Sequence, residues 1–176
     1  RGSEEEVLTS DLLFYCVAIS SFEEVLASTA SKIGPDTIVM DTCSGKKYPM
    51  EWMKRYLSPS QYLMGTHPMF GPDSAKNGMK GLPLVMCAMG EKDQRYEKVK
   101  NLFLDMDLRV IEMTADEHDR DAAFSQGITH FIGRVLKEMD VQDKEIATKG
   151  YKSLLEIVEQ TCNDPLQLFY DLQRYN

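Results

Sequence analysis

Histidine is scarce in this chain, with three in 176 residues. There is no H-x-E-x-H pair and no C-x-x-C spacing, so the ligand sets of the common zinc sites are missing and no metal is expected. Basic residues are outnumbered, 20 Lys and Arg against 28 Asp and Glu, for a net charge of -8 and a pI near 4.9. That balance excludes the basic stripe a nucleic acid requires. No apolar run approaches the ~20 residues of a membrane span, so no membrane partner is expected either. A strand followed by G-x-G-x-x-G and a helix, the phosphate-binding turn of a dinucleotide fold, is also absent from these residues.

What is present is an ordinary globular composition, 43% hydrophobic and 27% charged, whose partners are small molecules or other proteins. Cysteines stand at 16, 43, 87 and 162; Cys16 and Cys87 fall in apolar runs that read as buried strands, the usage of a reducing compartment such as the cytoplasm. The opening "RGSEEE" has neither a signal-peptide core nor an amphipathic transit segment, and its Arg-Gly-Ser reads as a cloning remnant.

The pattern of elements is α/β followed by all-α. "DLLFYCVAIS" (11–20), "TIVMDT" (37–42) and "QYLMGTH" (61–67) read as buried strands, separated by helical spacing over 21–33 and 50–57, with Ser21 and Glu24 as a capping box. Such β-α-β-α-β alternation predicts a parallel sheet with helices on its faces. A strand at 82–89, a helix at 93–106 and a strand at 108–114 continue it more loosely. From Asp116 to Val141 the chain reads as one long helix, and 148–162 and 164–176 as two more, the last with Pro165 at its first position. The boundary is expected near residue 115, separating residues 4–114 from a helical part, 115–176.

In open parallel sheets ligands sit at the carboxyl ends of strands, where Ser44 and His67 both fall. His67 stands in "GTHPMFGP" (65–72). Pro68 pushes it towards an extended backbone, and Gly65, Gly71 and Pro72 shape the turn. A turn that stiff either presents the imidazole at a site or has it cap a loop carbonyl, and position alone leaves both open. His118, in "DEHDRD", reads as a solvated or capping residue. His130 lies on an apolar stretch one turn after Gln126, so the two share a helix face from which a polar pair can project. Cys43 has no cue for a lowered pKa, and the eleven methionines read as core filling.

Taken together with "SDLLFYCVAISSFEEVL", "DTCSGKK", "EHDRDAAFSQGITHFIGRVL" and "TKGYKSLLEIVEQTCNDPLQLFYDLQRYN", the run "GTHPMFGPDSAKNGMKGLP" resembles the prephenate and arogenate dehydrogenase family of tyrosine biosynthesis, its plant-type branch in particular. The resemblance covers nearly all of residues 8–176. It implies a partial Rossmann-type nucleotide domain, beginning at the family's fourth strand, and a helical dimerisation domain that makes a homodimer through the C-terminal helices. It implies His67 as the catalytic proton acceptor, Ser44 orienting it and the nicotinamide, and Pro68 and Met69 beside the cofactor, NADP or NAD. Gln126 and His130 would line the substrate pocket. Lys152, with Lys149 nearby, stands where bacterial members carry an Arg for a substrate carboxylate; a lysine keeps the charge but loses the bidentate fork. Asn77 stands where an acidic residue would favour the amino group of arogenate, and so suits prephenate at least as well.

Lacking the phosphate-binding turn, the chain alone is expected to bind cofactor weakly or not at all and to be inactive. A plastid home is expected from the plant-type character. The competing expectation is a non-catalytic dimerising scaffold derived from the same family.

Overall fold

The computed structural model describes residues 2–176. The chain divides into two compact units, the first ending at Asp119 and the second running from Arg120 to Asn176.

Five short runs rich in β-branched and large apolar residues form one sheet in the first unit. They are β1 (Leu12–Tyr15), β2 (Ile38–Asp41), β3 (Tyr62–Pro68), β4 (Pro83–Ala88) and β5 (Arg109–Glu112), in the order β1-β2-β3-β4-β5. The helices are α1 (Glu4–Leu8), α2 (Ile19–Thr29), α3 (Lys47–Tyr56), α4 (Pro72–Ala75) and α5 (Gln94–Asp105), with α6 (Ala115–Ala122) spanning the division. All four residues of β2 are buried, as a strand covered on both faces should be. On one face Tyr96, Val99 and Phe103 of α5 pack with Ile38, Met40, Tyr62, Met64, Leu84 and Met86; each such side chain contributes roughly 1.5–3 kcal/mol by leaving water. The two-residue period of a strand then puts Val39, Asp41, Gly65 and His67 on the opposite face, where Met50 of α3 lies against Gly65.

The sheet departs from the expected all-parallel pattern. β1, β2 and β3 pair in parallel, as do β4 and β5, but β3 and β4 pair antiparallel, with His67 opposite Val85. The link between β3 and β4 contains only the four-residue α4 and lacks the crossover helix that usually carries a chain back for a parallel return. Two smaller expectations are also corrected. α2 begins at Ile19 after Ala18, so Ser21 lies inside the helix rather than capping it. Cys16 is exposed just beyond β1, while Cys87 is buried on β4. "SEEE" forms a helix: Ser3 and Glu6 make a capping box at the start of α1.

In the second unit the helical segment contains a π-helical turn, Ala123–Gly127, followed by α7 (Ile128–Glu138), α8 (Lys149–Cys162) and α9 (Leu166–Arg174). Pro165 is the N-cap of α9 rather than its first residue. α7 and α8 approach closely because Gly133 has no side chain: a Cβ there would lie 2.0 Å from Thr161 Oγ1. Opposite that seam, α7 and the π turn leave Phe124, Ile128, Phe131, Ile132, Val135 and Met139 exposed, Phe124 to 77%. Their spacing of three and four residues makes one continuous apolar stripe.

The division between the units falls within α6 rather than before it. Asp119 of its first turns accepts hydrogen bonds from Lys46 and Lys47, which ties the start of this helix to the N-terminus of α3.

Candidate active site

The site begins with a buried charge. Asp41 ends β2, and its Oδ2 accepts the Cys43 N–H at 3.0 Å and an ion pair from Lys46 Nζ. Both side chains are fully buried. Lys46 Nζ also donates to the Thr66 carbonyl, and the Thr66 hydroxyl donates to the Asp41 carbonyl. Lysine is almost never buried without such partners. Its stem passes over Gly65, where a Cβ would stand 2.8 Å from Met50 Sδ and 3.3 Å from Lys46 Cδ. Glycine at that strand position is what admits the stem.

Gly65 and His67 share a face of β3, so the Lys46 stem and the His67 ring lie on the same side. His67 is 4% exposed. Burial first, then the Lys46 ammonium and then His118 hold its pKa well below the ordinary histidine value, which keeps the imidazole neutral at pH 7. Its Nδ1 lies 2.8 Å from His118 Nε2, and His118 Nδ1 lies 2.7 Å from Asp119 Oδ1. Asp119 also accepts the backbone N–H groups of Lys46 at 2.7 Å and Lys47 at 3.0 Å. Burial raises the Asp119 pKa, but the hydrogen bonds from His118, Lys47 and Lys46 outweigh it and the net shift is downward. α3 has no side-chain cap of its own; the Asp119 carboxylate stands at its N-terminus, where the helix dipole favours an anion.

α6 is started by Thr114 and Glu117: the Thr114 hydroxyl accepts the Glu117 N–H at 3.2 Å, and Glu117 accepts the Thr114 N–H at 2.9 Å. This reciprocal box fixes where His118 and Asp119 emerge.

His118 therefore overturns its expectation as a solvated or capping residue, being only 2% exposed. It, rather than Ser44, is the hydrogen-bond partner of His67. Ser44 is half-buried in the loop after β2, with no hydrogen bond to His67 among the described residues. Pro68 and Met69 follow His67 and are half-buried, the Met69 N–H bonding the Pro83 carbonyl at 2.9 Å. Asn77 is exposed beside Gly78, whose φ of +109° only glycine adopts easily.

The remaining expected residues belong to the second unit. Gln126 lies in the π turn and His130 in α7, with Arg134 one turn further. Gln126 Oε1, His130 Nδ1 and Arg134 Nε are buried without partners among the described residues, a polar row along one helix face. Burial lowers the His130 pKa, Asp164 opposing and Arg134 adding to the shift. Lys152 is exposed near the start of α8.

Sequence reasoning missed Asp41, Lys46, Thr66, His118 and Asp119 as site residues. The signals for two of them were on the page, as T-x-x-E directly before His-Asp marks a helix start that presents those two residues.

A mostly parallel five-stranded sheet with flanking helices, followed by a helical part, is a Rossmann-like architecture. Two solved structures share it: prephenate dehydrogenase from A. aeolicus in complex with hydroxyphenyl propionate and NAD+ (TM-score 0.74, 17% identity, 97% of this chain and 63% of that one) and Synechocystis arogenate dehydrogenase (0.70, 17%, 97% and 68%). The family model for the prephenate dehydrogenase nucleotide-binding domain matches residues 1–112, and the TYRAAT1-like C-terminal domain matches 135–176. This chain belongs to the prephenate dehydrogenase family.

Among curated relatives, Arogenate dehydrogenase 2, chloroplastic, of Arabidopsis thaliana is 37% identical over 172 residues, covering 94% of this chain and 48% of the relative. The Arabidopsis Arogenate dehydrogenase 1, chloroplastic, is 38% identical over 173 residues, covering 94% and 27%. A probable arogenate/prephenate dehydrogenase of Methanocaldococcus jannaschii is 27% identical over 179 residues, covering 98% and 40%. The chain thus spans about half the length, or less, of these relatives.

Proposed function

We propose that this chain carries the proton-accepting part of a prephenate or arogenate dehydrogenase. The observation that carries the reading is His67: neutral, buried, fixed at its Nδ1 side by His118 and with Nε2 free of partners among the described residues. A neutral imidazole so held accepts the proton of the ring hydroxyl at C4 of the substrate. NAD(P)+ supplies the hydride acceptor when bound. Loss of CO2 and aromatisation of the ring then make the conversion effectively irreversible.

The residues present fit one end of that cofactor. The half-buried Ser44 hydroxyl, Pro68 and Met69 lie around the carboxyl ends of β2 and β3, where a nicotinamide would meet His67. No glycine-rich strand-to-helix turn among residues 1–176 serves a pyrophosphate, so we expect this chain by itself to bind NAD(P)+ weakly and to be inactive. Gln126, His130 and Lys152 are the substrate-side candidates. The unpartnered polar atoms of Gln126 and His130 support their part; the exposed Lys152 offers charge without a fork.

Burying Asp41, Lys46 and Asp119 costs desolvation that a scaffold has no reason to carry at strand ends, which favours the enzymatic reading over a non-catalytic module. The likeness to relatives named chloroplastic supports a plastid location; among the described residues no helix is long and apolar enough to cross a membrane.

Asn77 is uncharged and gives the amino group of arogenate no counterion, so the full-length protein should accept prephenate at least as well. Asn77→Asp should move the ratio of kcat/KM values towards arogenate by about tenfold, the worth of one charged hydrogen bond. An unchanged ratio would remove Asn77 from substrate choice. The partner of the apolar stripe on α7 is a second copy of the chain. Sedimentation at micromolar concentration should give a dimer that Phe131→Glu with Val135→Lys converts to monomer; a wild-type monomer would exclude this interface.

A further inference from the structure

With both rings neutral, the two imidazoles and the carboxylate form a line whose protons the geometry places. Asp119 is a carboxylate that already accepts the Lys46 and Lys47 N–H groups, so it can only accept from His118 Nδ1, 2.7 Å away. A neutral His118 then has its lone pair on Nε2. That atom is 2.8 Å from His67 Nδ1, and the hydrogen between them must belong to His67. Resting on the dehydrogenase reading, we infer that His118 and Asp119 are positioning residues. They hold the proton of His67 on Nδ1, so that Nε2 presents its lone pair, and they form a relay for a proton arriving there.

When Nε2 gains a proton from the substrate hydroxyl, the Nδ1–H bond of His67 breaks as an N–H bond forms at His118 Nε2. One proton enters and one moves on. His67 ends neutral with its hydrogen on Nε2, and His118 ends as an imidazolium against the Asp119 carboxylate. The charged and titratable groups facing the pair favour that direction. Lys46, from the start of α3, repels a cation on His67; Asp119, from α6, attracts one on His118. Asp41 of β2 is engaged by Lys46, and burial drives the Cys87 thiol of β4 up to about 12, leaving it uncharged.

Long-range proton–nitrogen NMR of the imidazoles in the 15N-labelled chain tests this without turnover. At pH 8 His67 should carry its hydrogen on Nδ1 and none on Nε2. His118 should carry its hydrogen on Nδ1, towards Asp119. His118→Leu should release His67 to the Nε2–H form that free imidazole prefers. A wild-type His67 with Nε2–H at pH 8 overturns the inference, as does a His118 with its hydrogen on Nε2, whether or not the leucine variant folds. In the full-length protein, His118→Gln should lower kcat about 10- to 100-fold, leave KM for the cofactor unchanged and shift the acidic limb of the kcat profile. A purely structural role would leave that limb in place and would overturn the relay. If the NMR pattern is found and the full-length wild type turns over neither substrate, the dehydrogenase reading fails while the proton arrangement stands.

Discussion

Replacing His67 with Asn in the full-length protein should lower turnover of prephenate or arogenate by about 10²–10⁴, the usual worth of a positioned general base, with little loss of stability. Asparagine suits the test because its amide nitrogen falls near the place of imidazole Nδ1 and can still donate to His118 Nε2. The buried hydrogen bond that joins β3 to α6 is therefore kept, and the acceptor at Nε2 is removed. Alanine would remove both and confuse a chemical loss with a structural one. Steady-state turnover beside a thermal melt separates them: a melting temperature within a few degrees of wild type and a rate below a hundredth is the expected pair. A rate within tenfold of wild type would take His67 out of the reaction.

The largest effect on stability should come from Lys46. Lys46→Met retains most of the side-chain volume and removes the ammonium from a place with no solvent, where Asp41 is fully buried. The Asp41 carboxylate is left with the Cys43 N–H at Oδ2 and nothing on Oδ1, and the Thr66 carbonyl loses its donor. Breaking a buried pair on one side costs about 3–5 kcal/mol, or on the order of 10 °C in the melting temperature of a chain this size. Adding Asp41→Asn should recover part of that, because the second change removes the stranded charge; the two changes share one interaction and will not be additive. A loss below about 1 kcal/mol for Lys46→Met would mean that the pair reaches water.

Local patterning was enough to read much of this fold and only part of its site. Continuous apolar runs such as "TIVMDT", the helical spacing between them and the turn "GTHPMFGP" are written within a few residues, and they place β2, β3 and His67 near where the structure has them. The direction of β4 is not local: it depends on whether the link after Pro68 forms a crossover helix, and the sequence around 82–89 reads the same either way. His118 reads as solvated for a related reason. Its neighbours Asp116, Glu117 and Arg120 are exposed and make the segment look solvated. The burial of His118 comes from β3 and α3, far away in the chain. Asp119 caps a helix that begins 72 residues earlier, a relation no window on the sequence contains. The partial burial of Ser44 fits its position after β2, but its proposed hold on His67 rested on family likeness, and the ring turned out to be held from α6.

Gly65 gives this arrangement an unusual dependence. A methyl group there would press on Met50 and on the stem of Lys46, and a side chain of any size would evict the ammonium from its channel between the strands. The charge that adds to burial in suppressing protonation of His67 would leave with it. Part of the acid–base character of the imidazole thus depends on empty space two residues upstream, and a single added carbon in β3 would retune the site without touching any group that meets the substrate.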